Sequence, residues 1–241
     1  FRRWAESPGI NTIELHFDTC EESPLALELP SKRGELTVKA AAGYTPLIVF
    51  RPAASLLDSH REIFNLKGGR IAFEGVHLAV VLPYGSPETW SLFALHQVSD
   101  VRFTRCTLTL RNPDRAPAAF FAVQGASSWD AAGRDEEPMV ASTPKISLDA
   151  SVVRGQASLV RATEGVPFRL EWQQGFLATS ECLAEAEGLA DFTLSDVIRI
   201  SLAHVTAAVD QGLFRLRIHP TAPVLPEVAI RCENCVFVQS R

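Results

Sequence analysis

This sequence is short of the features that mark several large classes of protein. No stretch approaches the roughly 18 apolar residues that cross a bilayer as a helix, and no secretory signal peptide is visible. The chain has 23 Lys and Arg against 28 Asp and Glu, a formal net charge of -5, so no basic surplus exists to neutralise phosphates. We therefore expect no membrane-spanning segment and no nucleic-acid partner.

Cysteine is also too scarce and too scattered for a disulfide framework. There are five, at positions 20, 106, 182, 232 and 235, and the count is odd. Cys232 and Cys235 are spaced as in a redox motif, but they lie in a strand-like run, and no second ligand pair is spaced for zinc. We predict that both pack in the core as small apolar residues, and that the chain holds no metal ion and no cofactor.

Several catalytic motifs are missing as well. The chain contains no Gly-x-Ser-x-Gly, no Walker loop and no His-Glu-x-x-His.

Helix signals are nearly absent, since only residues 181–189 read as helical. Val, Ile, Phe, Thr and Leu dominate short runs that alternate with period two, which is typical of strands.

What the chain does have is a short apolar pattern that recurs six times. An apolar residue is followed by one spacer, a second apolar residue, two spacers and a third slot. The six repeats are Ile71, Phe73, Val76; Val101, Phe103, Cys106; Ile146, Leu148, Ser151; Phe168, Leu170, Gln173; Ile200, Leu202, Val205; and Ile230, Cys232, Cys235. Such self-similarity predicts a solenoid, in which each repeat covers the apolar face of the next.

The remaining segments fit this interpretation. A second apolar run follows each of the first five patterns, within residues 90–95, 119–123, 157–160, 182–184 and 213–216. Residues 1–60 are less regular, and we interpret them as opening coils of a single domain spanning 1–241. Residues 125–143 are polar and predict one long loop leaving the stack. The chain lacks an initiator Met and stops soon after a strand-like run, so we expect a segment of a larger protein.

Three stretches carry a resemblance to a known superfamily. Residues 36–48, Ser99–Leu110 and Ile230–Phe237 resemble coils of pectate-lyase-like right-handed parallel β-helices. The resemblance covers roughly residues 36 to 241. It implies an all-β, right-handed parallel β-helix of about 7–9 coils. It says little about activity, because the same coil serves lyases, hydrolases, adhesins and inert modules.

A narrower resemblance involves Phe64–Gly69, Phe73–Val76 and Trp90–Phe93. These stretches are similar to non-catalytic β-helix regions of large planctomycete-type bacterial proteins, some of which carry a serine/threonine kinase domain. No kinase motif occurs in this chain. We therefore expect a non-catalytic structural or interaction module of a larger bacterial protein. Its partner would be a glycan or a protein, and its location extracytoplasmic or at the cell surface.

The alternative is a polysaccharide lyase or glycoside hydrolase that acts on an acidic polysaccharide. The predicted stacking places Asp149 beside Glu171, with Arg169 close by and Arg102 further along the face. A base with cations suits uronate lysis, and clustered acids suit hydrolysis. The same four residues also fit a solvated sheet face whose charges offset one another. The chain contains no Asp-Asp dipeptide and no clustered Asp set for Ca²⁺, which departs from both enzyme patterns.

Two further expectations concern partners. Trp129 is a large apolar ring in the polar 125–143 loop, where it either contacts a ligand or partner or pins the loop to the solenoid. The run at Val236–Val238 would leave an uncovered solenoid end, which favours end-to-end self-association or burial by a neighbouring domain.

Overall fold

The computed structural model describes residues 10–22, 35–52, 61–66, 69–85, 89–96, 99–125, 143–163, 165–188, 197–218 and 223–239, and in these ranges the chain is all-β. The strands found there are β1 (Thr12–Leu15), β2 (Thr19–Glu22), β3 (Glu35–Ala40), β4 (Leu47–Phe50), β5 (Glu62–Leu66), β6 (Gly69–Glu74), β7 (His77–Val81), β8 (Trp90–Leu95), β9 (Ser99–Thr104), β10 (Thr107–Arg111), β11 (Ala118–Val123), β12 (Lys145–Gly155), β13 (Ser158–Ala162), β14 (Arg169–Thr179), β15 (Ala184–Glu187), β16 (Ile198–Val209), β17 (Phe214–Arg217), β18 (Val228–Glu233) and β19 (Val236–Gln239).

These strands form three parallel ladders, in which each strand pairs with the equivalent strand of the next repeat. The first ladder joins β1, β3, β6, β9, β12, β14, β16 and β18. The second joins β2, β4, β7, β10, the distal halves of β12, β14 and β16, and β19. The third joins β5, β8, β11, β13, β15 and β17. The described residues thus wind through eight solenoid-like coils.

The predicted apolar slots line the interior between the ladders. The sequence predicts that ten residues of the first and second slots point inward. Nine of these ten are at most 2% exposed: Ile71, Phe73, Val101, Phe103, Ile146, Leu148, Leu170, Ile200 and Leu202. The tenth, Ile230, is in register with Ile200 but remains 52% exposed. It lies in the last coil of the described part, where no further described coil covers it.

Phenylalanine rings fill the middle of this interior. The rings of Phe73 and Phe103 stack with centroids 5.1 Å apart, and those of Phe64 and Phe93 stack at 4.7 Å. Phe93 also contacts Phe103 edge-on at 5.4 Å, which connects the first and third ladders. Offset and edge-on ring pairs add stability beyond the apolar area that they bury.

The corner between the first and second ladders is built from residues in the left-handed backbone region. Six successive coils place one such residue there: Gly75 (φ 65°), Arg105 (φ 54°), Ala150 (φ 46°), Gln174 (φ 53°), His204 (φ 56°) and Asn234 (φ 51°). Each is the second of the two spacers before the third slot of the pattern. The two spacers before the third slot therefore form a tight bend. Glycine adopts the left-handed conformation most easily, but only one of these six coils has glycine at this position.

The register corrects the prediction for the fourth repeat. Leu170, not Phe168, is the partner of Ile146 and Ile200, and Trp172 and Gly175 occupy the second and third slots. A Cβ built on Gly175 would overlap Nε1 of Trp172. The absence of a side chain at the third slot therefore makes room for the large ring at the second slot. Because the third slot holds glycine instead of an apolar residue, the apolar pattern does not identify the correct register of this repeat.

Two local expectations are also wrong. Residues 181–189 read as helical, but the described part of this segment contains strand β15 of the third ladder. The strand is favoured because it pairs with β13 and β17 and buries Ala184 and Ala186. Cys232 was expected in the core, but it is exposed and Cys235 is only half-buried, since both lie in the last described coil. Most of the 125–143 loop, including Trp129, falls outside the described residues.

Replacing Phe103 by Ala tests the interior packing. Phe103 is fully buried between Phe73 and Phe93, so we expect Phe103→Ala to lower the free energy of unfolding by about 3–5 kcal/mol. Thr104→Ala, at the neighbouring half-buried outward position, should change it by less than about 1 kcal/mol. Denaturant titration of both variants measures this, and equal effects would contradict the inward register.

Replacing Ala150 by Gly tests the strain at the corner. Ala150 is exposed with φ 46°, so Ala150→Gly should raise the free energy of unfolding by about 0.5–1 kcal/mol, the relief of left-handed strain less the greater unfolded-state entropy of Gly. Ser147→Gly, in the same strand but outside the left-handed region, should lower it. A lower thermal midpoint for Ala150→Gly would show that the corner is not strained.

Candidate functional site

The outer face of the first ladder arranges its side chains in columns that run from coil to coil. One column consists of Arg102, Ser147, Glu171, Ser201 and Arg231, which are register partners in consecutive coils. A second, two residues earlier in each strand, consists of Asp100, Lys145, Arg169, Arg199 and Ala229. Adjacent members of a column lie about 4.8 Å apart, the spacing of paired strands.

The predicted pairing of Asp149 with Glu171 is wrong. Asp149 lies opposite Thr104 and Gln173, while Glu171 lies opposite Ser147 and Ser201. The two carboxylates are therefore diagonal neighbours rather than direct ones, because the fourth repeat is displaced by two residues from its predicted register. A shift of two keeps each side chain on its face but gives it a different partner.

Glu171 is already engaged with another residue. Its Oε2 lies 2.7 Å from Nζ of Lys145, and both side chains are partly exposed. Arg102 lies two coils away from Glu171, beside Ser147. The structure therefore brings Glu171 and Arg169 to the same strand face, but it does not assemble the four predicted residues into one compact acid–base cluster.

Three exposed arginines lie in the last three described coils of this face. Arg169 and Arg199 are direct register partners, and Arg231 follows in the last described coil. All three are exposed, and within the described ranges none has an ion-pair partner among the structure's salt bridges. Like charges opposite one another on neighbouring strands are destabilising, so this arrangement is not explained by the stability of the sheet.

These arginines border an open hollow of about 270 Å³. Its polar lining consists of Arg169, Arg199, Arg231, Glu171 and Ser201, and its apolar lining consists of Leu170, Ile200, Ala229 and Ile230. The hollow exists because Ser201 and Ala229 are small where neighbouring coils carry long side chains. We call it the arginine hollow.

The sequence pattern did not identify Arg199, which lines the hollow, or Lys145, which pairs with Glu171 beside it. Both occupy the position directly before the first apolar slot, a row that lies outside the apolar pattern. Aligning that row with the corrected fourth repeat, Lys145, Arg169 and Arg199, would have revealed consecutive cations in adjacent coils.

A second charged cluster lies on the third ladder and is buried. Glu185 is 3% exposed and accepts hydrogen bonds from Ser158 Oγ at 2.9 Å, Arg161 Nε at 3.1 Å and one Arg215 guanidinium nitrogen at 2.8 Å. Burial alone would raise the pKa of Glu185. Arg161, the Ser158 hydroxyl and Arg215 outweigh it, so the pKa lies below its ordinary value. The carboxylate is fully occupied, which indicates a structural role.

Where the surroundings shift a thiol pKa, they raise it. Burial raises the pKa of the Cys106 thiol to about 11. Partial burial and the neighbouring Cys235 raise the pKa of Cys232. A reactive thiol or a catalytic redox pair has a lowered pKa, so the Cys232-x-x-Cys235 spacing does not mark such a site.

Comparison of the chain with protein-family models, with curated proteins and with solved structures finds no match. Within the described residues, no three His, Cys, Asp or Glu side chains are grouped so that they could share a metal ion. The same part of the chain contains no helix long and apolar enough to span a membrane.

Replacing Glu185 by Gln tests the buried cluster. The change leaves Arg161 and Arg215 without their carboxylate, so we expect the free energy of unfolding at neutral pH to fall by about 3 kcal/mol. Glu171→Gln, which removes an exposed ion pair, should cost less than about 1 kcal/mol.

The pH dependence of this effect has a definite sign. Because the folded-state pKa of Glu185 lies below the ordinary value of 4.5, its stabilisation is present above pH 4.5 and disappears as pH falls through the folded-state value. Denaturant titrations from pH 7 to pH 3 should show the difference between wild type and Glu185→Gln narrowing in acid. A difference that stays constant would contradict the ionised assignment.

Proposed function

We propose that this chain is a right-handed parallel β-helix module of a larger bacterial protein, and that it acts by binding a ligand rather than by catalysis. The parallel register of successive coils supports the β-helix. The right hand is supported by the strong preference of parallel crossover connections for it, about 98%. The resemblance of Ser99–Leu110 and Ile230–Phe237 to pectate-lyase-like coils also supports a right-handed parallel β-helix.

The observation that carries the proposal is the unpaired arginine cluster on the outer face of the first ladder. Arg169 and Arg199 face each other across neighbouring strands without a carboxylate between them. Such an arrangement raises the energy of the free protein, and an anionic ligand relieves it. Because the ladder is continuous, its outer face also offers the extended surface that solenoids use for binding glycans or protein partners.

A binding role fits the carboxylates better than a catalytic one. A general base must be available to take a proton from the substrate, but Glu171 is held by Lys145 at 2.7 Å. Asp149 lies in a separate column, opposite Gln173.

The second candidate is an acidic-polysaccharide lyase or hydrolase. It is favoured by one observation, the presence of Glu171 and Arg169 two residues apart on one strand face, where a base and a cation for a uronate carboxylate would lie. A rearrangement of Lys145 on substrate binding would free Glu171 to act.

One panel experiment separates the two candidates. The purified chain is mixed with acidic and neutral polysaccharides. Binding is followed by titration calorimetry, and turnover by new reducing ends and by the ultraviolet absorbance of unsaturated products. We expect binding of at least one glycan without turnover. Turnover that disappears in Glu171→Gln or Asp149→Asn, but persists in Glu74→Gln on an earlier coil of the same face, would establish the enzyme instead.

A further inference from the structure

We propose that the edge of β18 opposite β16, together with the arginine hollow beside it, binds an extended acidic segment of a partner protein, which joins the first ladder as one more parallel strand. This inference rests on the proposed binding function and names a protein partner for one end of the binding face. The bound segment places apolar side chains inward and charged side chains outward at alternate positions, as a strand does.

The edge of β18 is available for pairing. Among the described strands β18 pairs with β16 alone, so the N–H and C=O groups on its other side have no strand partner there. Such an edge is a template for main-chain hydrogen bonds with another chain. The inward side chain of Ile230 is 52% exposed and Cys232 is exposed beside it, so an added strand also buries apolar surface.

The outward side chains near this edge favour carboxylates. Arg231 lies on β18 itself, and an added residue opposite it would be about 4.8 Å away. Arg199 lies one strand further in and is the register partner of Ala229. An added residue opposite Ala229 is about twice the strand spacing from Arg199, and the small side chain of Ala229 leaves room for two long side chains to meet above it. Charge-assisted hydrogen bonds between guanidinium and carboxylate are among the stronger ones.

The register defines the sequence that fits. An added strand running parallel to β18 meets Ala229, Ile230, Arg231, Cys232 and Glu233 in turn. The matching order is acidic, apolar, acidic, apolar, basic, as in Glu-Val-Glu-Ile-Lys. The basic residue comes last because a third acid there would lie opposite Glu233 and be repelled.

A second copy of this chain fits the edge less well. Successive registers make Thr12 and Glu14 of β1 equivalent to Arg231 and Glu233 of β18. If β1 of another copy continued the ladder, it would bring no acid to Arg231 and would set Glu14 against Glu233. Like charges directly opposite one another are destabilising, so the charges favour an acidic partner over a head-to-tail copy.

Titration calorimetry of the intact chain with a short synthetic peptide containing Glu-Val-Glu-Ile-Lys tests the inference. We expect binding that weakens with salt. The reversed sequence has the same composition but places its charges against like charges, so it should bind about tenfold or more weakly.

Variants of the chain test the residues assigned to the site. Arg199→Gln combined with Arg231→Gln should weaken peptide binding about tenfold or more. Arg154→Gln, at an exposed arginine on the second ladder, is the matched control and should leave affinity unchanged. Thermal midpoints verify that each variant is folded. Undiminished binding by the double arginine variant would overturn the assignment.

Two further measurements separate strand addition from charge attraction. Arg231→Glu should lose affinity for the parent peptide and regain it for a peptide with Lys in place of its second Glu. N-methylation at alternate residues gives two versions of the peptide, and only the version whose remaining N–H groups face β18 should bind as the parent does. Equal affinity of the two versions, or no recovery on exchange of charge, would contradict an added strand.

Polyphosphate and the chain itself are the competing occupants. If polyphosphate binds wild type as tightly as the peptide does, the hollow recognises charge alone and the inference is wrong. If sedimentation shows a dimer that Arg231→Glu dissociates and that the peptide does not displace, the edge belongs to a second copy and the inference is equally wrong.

Failure of this inference is distinguishable from failure of the proposed function. If wild type binds a glycan but not the peptide, the peptide site is wrong and the binding function stands. If wild type cleaves a polysaccharide, the proposed non-catalytic function is wrong, whatever the peptide does.

Discussion

The parallel pairing of each coil with the next is the constraint on which the rest of the structure depends. Main-chain hydrogen bonds hold equivalent residues about 4.8 Å apart, so one choice of register aligns every side chain with its counterparts in neighbouring coils. Inside, this alignment stacks Phe73 on Phe103 with rings 5.1 Å apart and forms a continuous apolar column. Outside, the same alignment places Arg169 against Arg199, where solvent or a ligand must compensate the charge.

The constraint is maintained at a cost in backbone strain. Six corners between the first and second ladders use a left-handed residue directly before the third slot, and five of these six residues are not glycine, among them Ala150 and His204. A left-handed conformation costs roughly 1–2 kcal/mol for such a residue. The corner persists because buried residues on both sides of it, such as Leu202 and Val205, leave the backbone no other path that keeps both side chains inside. Interior packing therefore offsets local strain.

Much of the fold was predictable from the sequence because apolar side chains of the interior recur at fixed spacing. The slots at Val101 and Phe103, like those at Ile200 and Leu202, identify the inward face and the strands that carry it. The fourth repeat was misplaced because Trp172 fills space that a third-slot side chain occupies elsewhere, and only three-dimensional contact shows this exchange. The Glu185 cluster was missed for a related reason. Together with Glu185 its members come from three coils, and no local pattern links them.

The candidate site was less predictable than the fold, since it depends as much on small residues as on charged ones. Its cations were visible in the sequence, but their grouping required the corrected register of Arg169 with Arg199. The hollow itself arises where Ser201 and Ala229 interrupt columns of longer side chains. A substitution at these two outward positions would leave the buried core unchanged while filling or opening the hollow. The side chains of the outer face can therefore vary independently of the interior, which allows one coil architecture to serve unrelated functions.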